Sequence, residues 1–235
     1  MMEPLFGFAR PAYKFFVPLA VVSLIVGYFS VWAALVPAIL AAYVLYFFRD
    51  PNRKTPGIPN SICSPADGKV VSVIEVPCDD MPEGRALRVA IFLNVFNVHV
   101  QRIPVSGQID RVDRRPGKYM NALNEKCSEE NEAVTIWIRS LYGPVGVRQI
   151  AGAIARRIVC PVERDDRVVR GDRYGLIQFG SRVELFLPLT ANVKVTPGQK
   201  VVGGETCLAV LFEEEVRKGL SRDAIQRDAA LQAAG

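Results

Sequence analysis

From Phe15 to Phe48 the chain runs 34 residues without one Asp, Glu, Lys, Arg or His. A helix that crosses the hydrocarbon core of a bilayer needs about 20 apolar residues. One straight helix of this length would overshoot, whereas two short spans with a turn between them would fit. Gly27 to Ser30 and Pro37 are the candidate interruptions. A signal peptide fits poorly, because the stretch is too long and no small-residue cleavage site follows. A helical pair buried in a globular core is the competing reading, and so long an uncharged run argues against it. Arg10 and Lys14 precede the run, and Arg49, Arg53 and Lys54 follow it. Basic flanks on both sides satisfy the positive-inside tendency only if both ends are cytoplasmic, which favours a hairpin over one tilted span. The rest of the chain is then expected at the cytoplasmic face of the cell inner membrane.

The sequence divides into a membrane anchor over 1–49, an extended linker over 50–60, a β domain over 61–212 and a charged tail over 213–235. Within the β domain, Lys69–Val76, Leu87–Phe92, Val98–Ile103, Ala133–Ile138, Val145–Ile150, Arg182–Leu187 and Thr206–Leu211 read as strands. Helix-length amphipathic patterns are scarce. The expected fold is mainly β, an antiparallel sandwich or partly closed barrel, with an N-terminal transmembrane helical anchor.

Charge and cysteine usage narrow the partners. The net charge of +5 suits contact with anionic lipid headgroups. No basic helix and no Lys/Arg run interleaved with aromatics is present, so no nucleic-acid partner is expected. Five cysteines, Cys63, Cys78, Cys127, Cys160 and Cys207, form no CxxC pair. That argues against a disulfide scaffold or a thiolate zinc site, and no metal is expected. A reducing cytoplasm suits them.

Three segments concentrate chemically capable side chains: Ser64–Val70, Phe96–Pro104 and Phe179–Arg182. His99 is the only histidine, so any imidazole chemistry must use it. It reads either as a general base or as a structural residue on a strand. Asp67 before Gly68 reads as a turn, or as a carboxylate that orients an imidazole. Ser181 follows Gly180, a pair common in loops, and no Gly-x-Ser-x-Gly elbow surrounds it.

The combination and order of Tyr46-Phe47-Phe48-Arg49-Asp50-Pro51, Ser64-Pro65-Ala66-Asp67-Gly68-Lys69-Val70, Asn94-Val95-Phe96-Asn97-Val98-His99 and Gly175-Leu176-Ile177-Gln178-Phe179-Gly180-Ser181-Arg182 resemble the short, membrane-associated form of phosphatidylserine decarboxylase. The resemblance runs from the apolar segment to about Phe212. It implies a proenzyme that cuts itself between Gly180 and Ser181, with Asp67, His99 and Ser181 as the catalytic triad and Ser181 converted to a pyruvoyl cofactor. It further implies a serine-headgroup phospholipid as substrate, a Schiff base between its amine and the pyruvoyl ketone, and two cleavage products that stay associated. A homo-oligomer is left open. Longer family members usually read Leu-Gly-Ser-Thr at the cut, where this chain has Phe179-Gly180-Ser181-Arg182. They often carry a second histidine where this chain has Arg102. Arg53 and Lys54 are candidates for contact with anionic lipid; Arg102 and Arg182 are candidates for the lipid phosphate, with a solvated structural arginine as the equal alternative for each. The same chemistry on an archaeal ether lipid, archaetidylserine, is an alternative. A membrane-tethered, noncatalytic β binding module is another, although it leaves Asp67, His99 and Gly180-Ser181 unexplained.

Overall fold

A computed structural model of the chain describes residues 5–58, 60–153, 157–178 and 181–211. The charged tail expected over 213–235 lies outside the described residues, as do Phe179 and Gly180.

The uncharged run forms two helices, α1 (Ala12–Phe29) and α2 (Val31–Phe47). The break falls at Ser30, whose extended backbone cannot continue a helix and whose hydroxyl accepts from the Ala33 amide. That is an N-cap in the ordinary sense, satisfying one donor of the new helix. Pro37, the other candidate interruption, sits inside α2. The helices lie against each other: Ser23 Oγ donates to the Ala34 carbonyl at 3.0 Å. Their outer faces are apolar and exposed, with Leu24, Tyr28, Phe29, Val31 and Trp32 each more than 70% accessible.

The remaining elements are β1 (Ser61–Cys63), β2 (Gly68–Pro77), β3 (Arg85–Leu93), β4 (Val100–Arg102), β5 (Gly107–Arg115), the single turn α3 (Cys127–Glu130), β6 (Ala133–Ser140), β7 (Gly143–Ala151), β8 (Ile158–Val159), β9 (Arg167–Val168), β10 (Arg173–Ile177), β11 (Ser181–Leu187), β12 (Asn192–Val193), β13 (Lys200–Val201) and β14 (Cys207–Val210). Eight of them form one sheet in the order β13-β2-β3-β11-β7-β6-β5-β9, curled as a half-barrel. Smaller sheets, β1-β14-β12 and β4-β10-β8, complete the domain. All strand pairs are antiparallel. The mainly β, partly closed architecture with an apolar helical N-terminus is the one the sequence predicts.

All seven residues of β11 are buried, and their alternation separates two environments. Val183, Leu185 and Leu187 join Ile91, Leu93, Val147 and Ala151 in the main core. Fully burying the valine, leucine and isoleucine side chains among them contributes about 1.5–3 kcal/mol each. Arg182 and Glu184 point the other way, under α3. Glu184 accepts from Ser128 Oγ at 2.6 Å and pairs with Arg182 at 3.1 Å, Arg88 at 3.5 Å and Arg148 at 3.7 Å. Glu125 closes the cluster from its solvent side, on Arg88 and Arg182.

Residues 50–58 carry no regular secondary structure, yet they are pinned. Asp50 is buried between Arg102 and Arg173, each 2.6 Å away. Arg170 donates to the carbonyls of Pro56 and Ile58.

Removing one buried partner of an ion cluster leaves the others uncompensated, at a cost of about 3–5 kcal/mol. Glu184→Ala is therefore expected to lower the thermal midpoint of the detergent-solubilised protein steeply. Glu125→Ala, at a side chain 61% exposed, should cost about 1 kcal/mol or less. Equal shifts for the two would contradict the burial argument.

Candidate active site

Ser181 opens β11, paired with Leu93 on one side and Ala151 on the other. Its side chain therefore shares the core face of those two apolar residues. It is fully buried, and its Oγ has no hydrogen-bond partner among the described residues. A buried orphan hydroxyl costs about 1–3 kcal/mol, and such groups are rare enough to need an explanation.

His99 lies between the Asn94–Asn97 turn and β4, with its carbonyl accepting from the Ile177 amide. That contact places its backbone beside the end of β10, four residues before Ser181. The imidazole is fully buried. Its Nδ1 is 2.9 Å from the Asn97 carbonyl oxygen, which can only accept. Nδ1 thus carries the proton, and Nε2 keeps its lone pair. Phe47, at the end of α2, covers the ring in a stacked contact with centroids 4.1 Å apart. Burial is the main cause that lowers the His99 pKa from 6.5 to about 4; the Arg49 charge adds to it, and the Asn97 hydrogen bond opposes it. At neutral pH the ring is uncharged, the form a general base requires.

Asp67 stands in the loop before β2. Its carboxylate accepts from the Gly203 amide at 2.8 Å and from Arg53 Nη2 at 3.1 and 2.9 Å. The structure does not bring Asp67 into hydrogen-bond contact with His99; the Asn97 carbonyl sets the imidazole tautomer instead. Gly68 follows because β2 crosses β3 closely: a Cβ there would meet the Phe92 carbonyl oxygen at 2.3 Å.

The structure assigns three of the candidate arginines to internal partners. Arg53 is engaged by Asp67 with a side chain 12% exposed, so it does not face lipid. Arg102 is locked by Asp50 and by the carbonyls of Pro51 and Gly171. Arg182 is fully buried on the face of β11 opposite Ser181, against Glu184. Neither is placed to take a lipid phosphate at the serine.

Sequence reasoning missed a buried amide pair. Gln149 Nε2 donates to Gln101 Oε1 at 2.9 Å, leaving Gln101 Nε2 and Gln149 Oε1 without a partner among the described residues. Gln149 is opposite Val183 and so shares the face of β11 that carries Ser181. Gly175 makes room for it, since a Cβ there would lie 2.6 Å from Gln149 Nε2. The available signal was a glutamine interrupting the apolar Val145–Ile150 run. The cysteines offer no rival nucleophile: burial pushes the Cys63 thiol up to about 12 and the Cys160 thiol up to about 11.

A neutral, buried base implies activity that persists well below pH 6.5. Any step that needs uncharged His99 should lose half its rate only near pH 4, read as the pH profile of precursor cleavage. Phe47→Ala opens the ring to water and should move that inflection up toward 6.5, while Phe47→Leu should leave it low. The folded pKa is depressed, so between about 6.5 and 4 only the unfolded chain takes up the proton. This contribution to stability is full above 6.5 and falls as pH drops through that window.

The sequence profile of the family described as phosphatidylserine decarboxylase matches residues 40–209, well over half of the chain. The match begins inside α2 and ends in β14, so it takes in Phe47, Asp67, His99 and Ser181 together. The chain belongs to the phosphatidylserine decarboxylase family: it is a membrane-associated lyase that converts phosphatidylserine to phosphatidylethanolamine with a pyruvoyl group generated by autocatalytic cleavage at a serine.

Proposed function

We propose that Ser181 is the serine that becomes the pyruvoyl group, that the cut falls between Gly180 and Ser181, and that His99 is the base. The observation that carries this reading is the Ser181 hydroxyl, buried at the head of a central strand with nothing among the described residues to bond it. A hydroxyl so placed keeps its lone pairs for a carbonyl, and the neutral His99 can take its proton.

The chemistry balances as follows. His99 Nε2 removes the Oγ proton, and Oγ adds to the Gly180 carbonyl carbon. The Gly180–Ser181 C–N bond breaks, leaving an ester and a free amine. Loss of the Ser181 Cα proton with cleavage of its Cβ–O bond releases the Gly180 carboxylate and leaves dehydroalanine. Tautomerisation to the imine and addition of water expel ammonia and leave the ketone. Two associated chains result, 1–180 and the remainder that begins at position 181.

The surroundings of Ser181 suit the group it would become. Leu93 and Ala151 flank it on the core face and keep water from a reactive ketone. The pyruvoyl group, once formed, supplies an electron sink for the pair left by departing carbon dioxide. His99 holds and returns the proton. Asp67 braces the neighbouring loop through Arg53 and Gly203, and belongs to the site as the third residue of the family pattern.

The membrane reading follows from dimensions. At 1.5 Å per residue, the 18 residues of α1 span about 27 Å and the 17 of α2 about 25 Å, close to a hydrocarbon core of about 30 Å. Antiparallel packing returns both ends to the catalytic domain, where Arg10, Lys14 and Arg49 favour the cytoplasmic face of the inner membrane.

Ser181→Ala should remain one uncleaved chain on a denaturing gel and melt no lower than wild type, because it removes an orphaned hydroxyl. His99→Ala should slow cleavage by about 10²–10⁴. Asp67→Asn, whose carboxylate bonds Arg53 and Gly203 rather than the ring, should slow it less. Wild-type protein found as one intact chain by mass spectrometry, yet fully active on phosphatidylserine, would rule the assignment out.

A further inference from the structure

Two tight turns flank the base of the helical hairpin, and each presents an exposed phenylalanine. The first is Leu5–Phe8, closed by reciprocal backbone hydrogen bonds of 2.9 and 3.0 Å. It carries Phe6, 86% exposed and held at φ +51, a region bulky side chains rarely adopt. The second is Asn94–Asn97, carrying Phe96 at 63% exposure. Its two asparagine side chains accept from the Asn94 and Phe96 amides, both at 2.9 Å, so the turn is rigid.

Both turns are tied to the end of α2. Phe8 bridges Arg49, and the Asp50 amide donates to the Gly7 carbonyl at 2.8 Å. The Phe96 carbonyl accepts from Arg49 Nη2 at 2.8 Å and from the Tyr46 hydroxyl at 3.3 Å, while the Tyr43 hydroxyl donates to the Val95 carbonyl. The Tyr13 hydroxyl donates to the Leu5 carbonyl at 2.8 Å. Tyr13, Tyr43, Tyr46, Lys14 and Arg49 occupy the level where the apolar helices give way to charge. Aromatic and basic residues gather at that depth where a helix leaves a bilayer.

We propose that these turns form an interfacial collar, inserting Phe6 and Phe96 into the headgroup region of the bilayer on either side of Arg49. The occupant is the lipid surface, because both turns are continuous with the helices that enter it and their backbones leave the rings no route to the core. The consequence reaches the chemistry: Asn97, in the second turn, holds His99 Nδ1. The collar therefore sets the depth of the site against the lipid headgroup it acts on. This inference rests on the hairpin entering the membrane, and the experiment separates the two.

The full chain, reconstituted in vesicles of phosphatidylserine and chain-brominated phosphatidylcholine, supplies the test. Phe96→Trp in a Trp32→Phe background places the probe in the collar, with the buried Trp137 as a constant background. Bromine should quench its emission. Phe96→Asp should lower turnover of vesicle-borne phosphatidylserine about tenfold, the loss expected for withdrawing one phenyl ring from an apolar phase. It should leave self-cleavage and turnover of a short-chain, dispersed phosphatidylserine unchanged. An unquenched probe at position 96, with native Trp32 quenched, would overturn the collar and leave the hairpin reading standing. Trp32 unquenched as well would overturn both. Equal loss on the two substrates would assign Phe96 an internal structural role and reject the proposal.

Discussion

Asp50 sits just after the second helix, buried between two guanidiniums that come from different strands, Arg102 of β4 and Arg173 of β10. A carboxylate there would be costly without both partners, and each arginine would be costly without it. The triad therefore admits one arrangement of the helices on the β domain. Once Asp50 is seated, Phe48 and Phe47 fall into the apolar patch with Val98, Val100 and Leu176, and Phe47 arrives on the His99 ring. The apolar helices and the proposed base thus share one packing solution. An anchor attached by a loose tether would leave the imidazole open to water and its pKa near the ordinary value.

The site separates two kinds of polar burial. On the outer face of β11, Arg182 and Glu184 are sunk among compensating charges and one serine hydroxyl, which holds the strand in register under α3. On the core face, Ser181 has apolar neighbours and an unsatisfied hydroxyl. The neutral imidazole and the orphan hydroxyl are both unfavourable in isolation. Their coexistence is understandable in a precursor that reacts at this serine, as proposed, since conversion to a ketone would remove the stranded donor.

Six of the seven strands expected from the sequence lie close to their expected bounds, because their apolar faces are strong enough to specify pairing locally; the seventh, Val98–Ile103, shortens to Val100–Arg102 and leaves His99 just before the strand rather than on it. β5, Gly107–Arg115, escaped notice: its Asp and Arg residues satisfy cross-strand partners at a sheet surface, so its sequence lacks a clean apolar face. The helical break at Ser30 was within the expected window, since a serine can cap a new helix. The sequence leaves Arg53, Arg102 and Arg182 open to lipid because a lone arginine gives no sign of its partner. The carboxylates that claim them are 14, 52 and 2 residues away.

Local chemistry alone determined that an uncharged run must leave water, that alternating β-branched segments would pair into an antiparallel sheet, and that one histidine and one Gly-Ser bond were available for self-processing. Those properties reside in consecutive residues and need no partner. Tertiary structure decided that Asn97 rather than Asp67 holds the imidazole, that Phe47 keeps it neutral, and that Ser181 faces the core while its neighbour faces charge. Those outcomes depend on which distant groups share a dry space, where unpaired charge and unpaired hydrogen-bonding groups become expensive.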